Sequence, residues 1–99
     1  MTASRVVVTG VGAITPLGIG IEATWQSLVR GDSGAALITA FDTDGFDVRF
    51  GCEVKGFNPD EYMDRRTSKH LDRFCQFAVS AAKMAQADAP SSCQNTIRA

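Results

Sequence analysis

The chain opens on an unbroken apolar run, Val6-Val7-Val8, and passes at once into the glycine-punctuated stretch Thr9-Gly10-Val11-Gly12-Ala13-Ile14-Thr15-Pro16-Leu17-Gly18. Three consecutive β-branched residues read as a strand buried on both faces, and the glycines behind them read as a turn. Ile21, Trp25, Leu28 and Val29 then fall at i, i+4, i+7 and i+8. That spacing predicts a helix over Ile21–Arg30 whose apolar face lies on the sheet, with Gly31 as its C-terminal cap. The opening is therefore strand, turn, helix.

Beyond Gly31 the pattern weakens. Asp32-Ser33-Gly34 continues the turn, and Phe41-Asp42-Thr43-Asp44-Gly45 reads as a loop with Phe41 and Phe46 as apolar anchors. Residues 48–54 alternate apolar and polar only in part, which predicts an edge strand. Asn58-Pro59-Asp60-Glu61 starts a short helix, with Asn58 as N-cap, Pro59 at the first helical position and Glu61 placed to close a capping box. A longer helix is predicted over 67–87, where Leu71, Phe74, Cys75, Ala78, Ala81, Ala82 and Ala85 form a stripe narrowing from bulky to small. Such a face lets a helix pack closely on its neighbour.

Composition narrows the possibilities. With 99 residues, 44% of them hydrophobic, and a net charge of −1, the sequence describes one small domain at most, and not a general nucleic-acid or membrane binder. The N-terminal apolar run is broken by Thr9, Gly10 and Gly12 and has no small-residue cleavage pattern, so the expected location is cytoplasmic. Cys52, Cys75 and Cys93 are odd in number, lack a C-x-x-C pair and have only His70 for company, so free thiols are expected, with no disulfide framework and no metal site. No base is placed beside any of them to make a nucleophile. Gly10-Val11-Gly12 invites a dinucleotide reading, yet the third glycine of that fingerprint is Thr15 here. The plainer reading is a tight turn that lets a helix approach the sheet, and no cofactor is called for.

One cluster asks for more than a structural account. Arg65, Arg66, Lys69, His70 and Arg73 gather at the start of the long helix, with Arg66, Lys69, His70 and Arg73 on one face. Positive charge there opposes the helix macrodipole by about 0.3–1 kcal/mol per charge at low salt. The cluster is either a solvated face eased by Asp64 and Asp72, or a docking site for an acidic partner. His70 has neither a nucleophile nor an orienting acid beside it, which argues against a catalytic base.

The stretch from Val8 to Gly18, Trp25-Gln26-Ser27-Leu28, Gly31-Asp32-Ser33-Gly34, Phe41-Asp42-Thr43, Tyr62-Met63-Asp64-Arg65 and Leu71-Asp72-Arg73-Phe74 occur in this order over 5–89. Together they resemble the opening of the bacterial β-ketoacyl-acyl-carrier-protein synthases of type II. The resemblance implies a thiolase-like layered αβαβα fold, incomplete in this chain, and an acyltransferase of fatty-acid biosynthesis. In that family an acyl group passes to a cysteine, and decarboxylated malonyl-carrier protein attacks it. The family's cysteine and two histidines lie further downstream, so no catalytic residue is expected here and the chain alone is expected to be inactive.

The resemblance also implies docking of acyl carrier protein on Arg66, Lys69 and His70 with Arg65 as neighbour, His70 standing where fuller positive charge is common, so that its contribution depends on pH. The intact enzyme is expected to be a homodimer. Residues 1–89 would be the ketosynthase portion, whereas 90–99 depart from the family pattern and are expected to be a disordered, non-cognate tail of a truncated or frame-shifted product. The alternative is a small non-catalytic module that holds an acidic carrier protein on a basic helix. With few strands to flank Val6-Val7-Val8, poor independent stability is expected.

Overall fold

The computed structural model describes residues 4–90, so the expectation for the tail falls outside the described residues, apart from Pro90. Strand β1 (Ile14–Thr15) turns at Pro16-Leu17 into β2 (Gly18–Ile19), pairing antiparallel with Ile14 opposite Ile19. Helix α1 (Ile21–Arg30) follows directly and has the predicted limits. Hydroxyls tie it to the hairpin. Thr15 Oγ1 accepts from the N–H groups of Leu17 and Gly18 and lies 2.9 Å from Thr24 Oγ1. Ser27 Oγ, buried under the helix, donates to the Leu17 carbonyl at 3.0 Å. Gly31 ends α1 as predicted: at φ +78° it donates to the Leu28 carbonyl, while Asp32 N–H returns to Ser27.

A second antiparallel pair joins β3 (Ala35–Leu37) to β4 (Phe50–Cys52), with Ala36 opposite Gly51. The edge strand expected over 48–54 is present in shortened form, and its partner β3 carries no pattern of its own. Beyond β4, Glu53 holds the loop that follows β3. Its Oε1 accepts from Thr39 N–H at 2.9 Å and Thr39 Oγ1 at 3.0 Å, and its Oε2 accepts from Ala40 N–H at 3.0 Å. Phe41 and Phe46 meet edge to face at 6.1 Å, but both stay exposed, so they anchor each other and not a core.

The predicted helix start at Asn58 is a 3-10 turn, Pro59–Glu61. Asn58 Oδ1 caps Asp60 N–H at 3.1 Å, but the Glu61 carboxylate makes no return bond among the described residues. The long helix predicted over 67–87 is two helices. α2 (Arg65–Ser68) starts from Asp64, whose Oδ1 accepts from Thr67 N–H at 2.8 Å; α3 (Arg73–Asp88) starts from Asp72 in extended backbone at ψ 161°. Asp72 takes the N-cap conformation that aspartate favours, and that breaks the helix. Gln76 Nε2 braces the corner by donating to the carbonyls of Ser68 and Leu71. Arg66, Lys69, His70 and Arg73 therefore do not share one helical face.

The apolar core is small: Phe57, Met63 and Ala89 are buried. Phe57 meets Phe77 edge to face at 5.1 Å and stacks on Tyr62 at 6.0 Å. The glycine segment lies on α3. A Cβ on Gly10 would stand 2.7 Å from the Ala89 nitrogen, and one on Gly12 2.7 Å from the Ala85 nitrogen. Val11 N–H also donates to Asp88 Oδ2 at 3.0 Å. The glycines thus permit close helix approach as expected, but to a helix and not to a sheet. Ala81 and Ala85 line that contact, while Phe74, Ala78 and Ala82 of the expected stripe face outward.

Two expectations fail for one reason. Val6, Val7 and Val8 form no strand and Val6 is 94% exposed, and the apolar face of α1 is open, with Trp25 60% exposed. A buried strand needs flanking strands, and none of those among the described residues pairs with it. The radius of gyration, 17.1 Å, measures the openness. A compact chain of this length has about 13 Å.

Candidate functional site

Arg65 and Arg66 are the first residues of α2, Lys69 is its C-cap and His70 lies in the turn that follows. All four are exposed. Lys69 N–H returns to the Arg65 carbonyl at 3.1 Å and His70 N–H to the Thr67 carbonyl at 3.1 Å, so the backbone under these side chains is fixed while their heads stand in solvent. Among the described residues none of the four forms an ion pair. Two N-cap aspartates flank them, Asp64 and Asp72, and they offset the charge that a long helix would have left opposed to its dipole.

Arg73 leaves this group. Its guanidinium carbon lies 5.1 Å from the Phe57 ring centre and 5.0 Å from that of Phe77, bracketed by two aromatic faces. Phe77 stands one turn along α3, at i+4, but Phe57 comes from outside the helix, so no local pattern brings both rings to Arg73. Cys52 is exposed on β4 and Cys75 half-buried in α3; Cys93 lies outside the described residues. Among the described residues no group of three or more His, Cys, Asp or Glu is placed to hold a metal ion. No helix there is long and apolar enough to cross a membrane.

Among the described residues two carboxyls are shifted. Glu53 lies below its ordinary value chiefly because Thr39 N–H donates to it, and Asp64 below its own because of Thr67, through its side chain and then its N–H. A lowered carboxylate contributes stability above its unfolded value and loses it as pH falls through the folded one. As pH falls, the Thr39, Ala40 and Thr67 amide shifts should therefore move with midpoints below ordinary carboxyl values, together with loop and cap. Midpoints at ordinary carboxyl values in an NMR titration would contradict this.

Residues 3–97 match the family described as Beta-ketoacyl synthase, N-terminal domain. The chain belongs to the β-ketoacyl synthase family. Over 85 residues, 86% of the chain, it is 49% identical to the 3-oxoacyl-[acyl-carrier-protein] synthase 2 of Synechocystis sp., covering 20% of that protein. The Staphylococcus aureus (strain COL) protein of the same name is 39% identical over 85 residues, with the same coverage of both chains. The Vibrio cholerae one is 40% identical over 88 residues, covering 89% of this chain and 21% of that protein. A solved structure described as the ishigamide ketosynthase/chain length factor superposes with a TM-score of 0.77 at 42% identity, covering 84% of this chain and 21% of the other. This β-ketoacyl synthase chain thus spans about a fifth of the length of the curated relatives it matches. Its hairpin, helices and short strands are opening elements of the thiolase-like α/β fold.

Proposed function

We propose that this β-ketoacyl synthase chain is the N-terminal part of a 3-oxoacyl-acyl-carrier-protein synthase, an acyltransferase that condenses malonyl units with acyl chains in fatty-acid synthesis. The names of its relatives support the reaction class. The cysteine nucleophile and the two histidines are assigned to the rest of the enzyme, so the 99 residues alone carry no turnover. The intact enzyme is taken to be a cytoplasmic homodimer.

The part assigned to this segment is docking of acyl carrier protein on Arg65, Arg66, Lys69 and His70. The supporting observation is that all four side chains are exposed and free of ion pairs among the described residues, on backbone fixed by hydrogen bonds. Such rim charges act mainly on encounter rate and on partner choice. Reversing Arg65, Arg66 and Lys69 to Glu together should weaken carrier-protein binding by at least about tenfold, mostly through the association rate. Raising ionic strength from about 0.1 M to 1 M shortens the screening length from about 10 Å to 3 Å and should weaken the unaltered chain likewise. Binding kinetics that ignore both changes would defeat the assignment.

A further inference from the structure

Between β4 and the start of α3 lies a cleft of about 470 Å³, within the range of about 300–1,000 Å³ usual for small-molecule sites. Its walls include Ala40, Val54 and Phe77, and its charged groups are Glu53, Lys55 and Arg73. None of these is among the residues assigned to carrier docking. We propose that this cleft binds a carboxylate carrying an apolar tail, with Arg73 and Lys55 on the head and Ala40, Val54 and Phe77 along the tail.

Arg73 is prepared for that role. The rings of Phe57 and Phe77 hold its guanidinium at 5.1 and 5.0 Å, so much of its rotamer freedom is already given up before a ligand arrives. Among the described residues it donates no hydrogen bond, and a guanidinium offers five donors in a fork that fits a carboxylate in bidentate fashion. Among the described residues Glu53 forms no ion pair with Arg73 or Lys55, its oxygens accepting instead from Thr39 and Ala40. Two cations against one carboxylate leave the cleft one positive charge in excess. A monoanion neutralises that charge, whereas a phosphate dianion overshoots it and meets Glu53.

The test titrates the chain with octanoate, acetate, octylammonium and inorganic phosphate, following the Arg73 Nε–H and the Phe57 and Phe77 ring signals by NMR. Octanoate should bind at least about tenfold more tightly than each of the others, since only it supplies both halves of the match. Lys55→Met and Arg73→Met should each weaken octanoate by about tenfold, and Arg73→Lys should also weaken it because the fork is lost. Lys55→Met leaves the aromatic bracket intact, so it remains readable if Arg73→Met fails to fold. Octanoate binding unchanged in Lys55→Met would overturn the proposal. So would octylammonium, acetate or phosphate matching octanoate, the first of these marking simple adsorption to exposed apolar surface.

Discussion

Phe57→Ala should destabilise the chain by about 3–5 kcal/mol. Phe57 is 9% exposed and holds three things at once: Phe77 on α3, Tyr62 beyond the 3-10 turn and the Arg73 guanidinium. Truncation leaves a void beside Phe77 and removes one face of the Arg73 bracket. Few other buried apolar groups can compensate, and since small domains are stable by only about 5–15 kcal/mol, the loss is a large part of the whole. Urea unfolding monitored at Trp25 and at the Phe77 ring would measure it, with Phe57→Leu as a milder companion. A midpoint that hardly moves for Phe57→Ala would show that the aromatic group carries little of the fold.

The second large effect belongs to Gly12. Its missing Cβ would stand 2.7 Å from the Ala85 nitrogen and 2.8 Å from the Met84 Cβ, and helix backbone cannot move aside as a side chain can. Gly12→Val should therefore lift residues 9–13 from α3 at a cost of about 1–3 kcal/mol or more, with Gly12→Ala part of the way. The Val11 N–H bond to Asp88 should be lost with it, while the Gly20 N–H bond to the Ala13 carbonyl persists. Hydrogen exchange separates the two amides. Unchanged protection at Val11 in Gly12→Val would mean that the close approach is not what orders this segment.

What could be read from the sequence follows from how local each signal is. α1 was legible to the residue, because its periodic face, its first turn and the αL glycine at Gly31 lie within one short stretch. The Asn58 cap was legible for the same reason. β3 was not, since Ala35-Ala36-Leu37 becomes a strand only through its pairing with β4, 15 residues away for Ala36 and Gly51. The break between α2 and α3 had a signal in Asp72, a residue that prefers an N-cap to a helix interior, but the helical spacing of Leu71, Phe74, Cys75 and Ala78 across it outweighed it. Val6-Val7-Val8 shows the opposite limit: its pattern describes a burial that the described residues do not supply. Among the site residues, the exposure of Arg65, Arg66, Lys69 and His70 was readable from charge alone. For Arg73, the i, i+4 spacing to Phe77 on α3 was a local signal, whereas the Phe57 ring, which comes from outside the helix, was not.

The hydroxyl ties between the hairpin and α1 also fix an order of assembly. Thr15 meets Thr24 across 9 positions and Ser27 meets Leu17 across 10, whereas Val11 reaches Asp88 across 77. Closing the longer loop costs about 2 kcal/mol more in chain entropy, by the logarithmic dependence on loop length. Residues 13–31 can therefore knit themselves together early from neighbours alone, and the docking of the glycines onto α3 comes after it. Under stress the sequence of events runs backwards: the long-range clasp opens first, and the hairpin with its helix is the last part to let go.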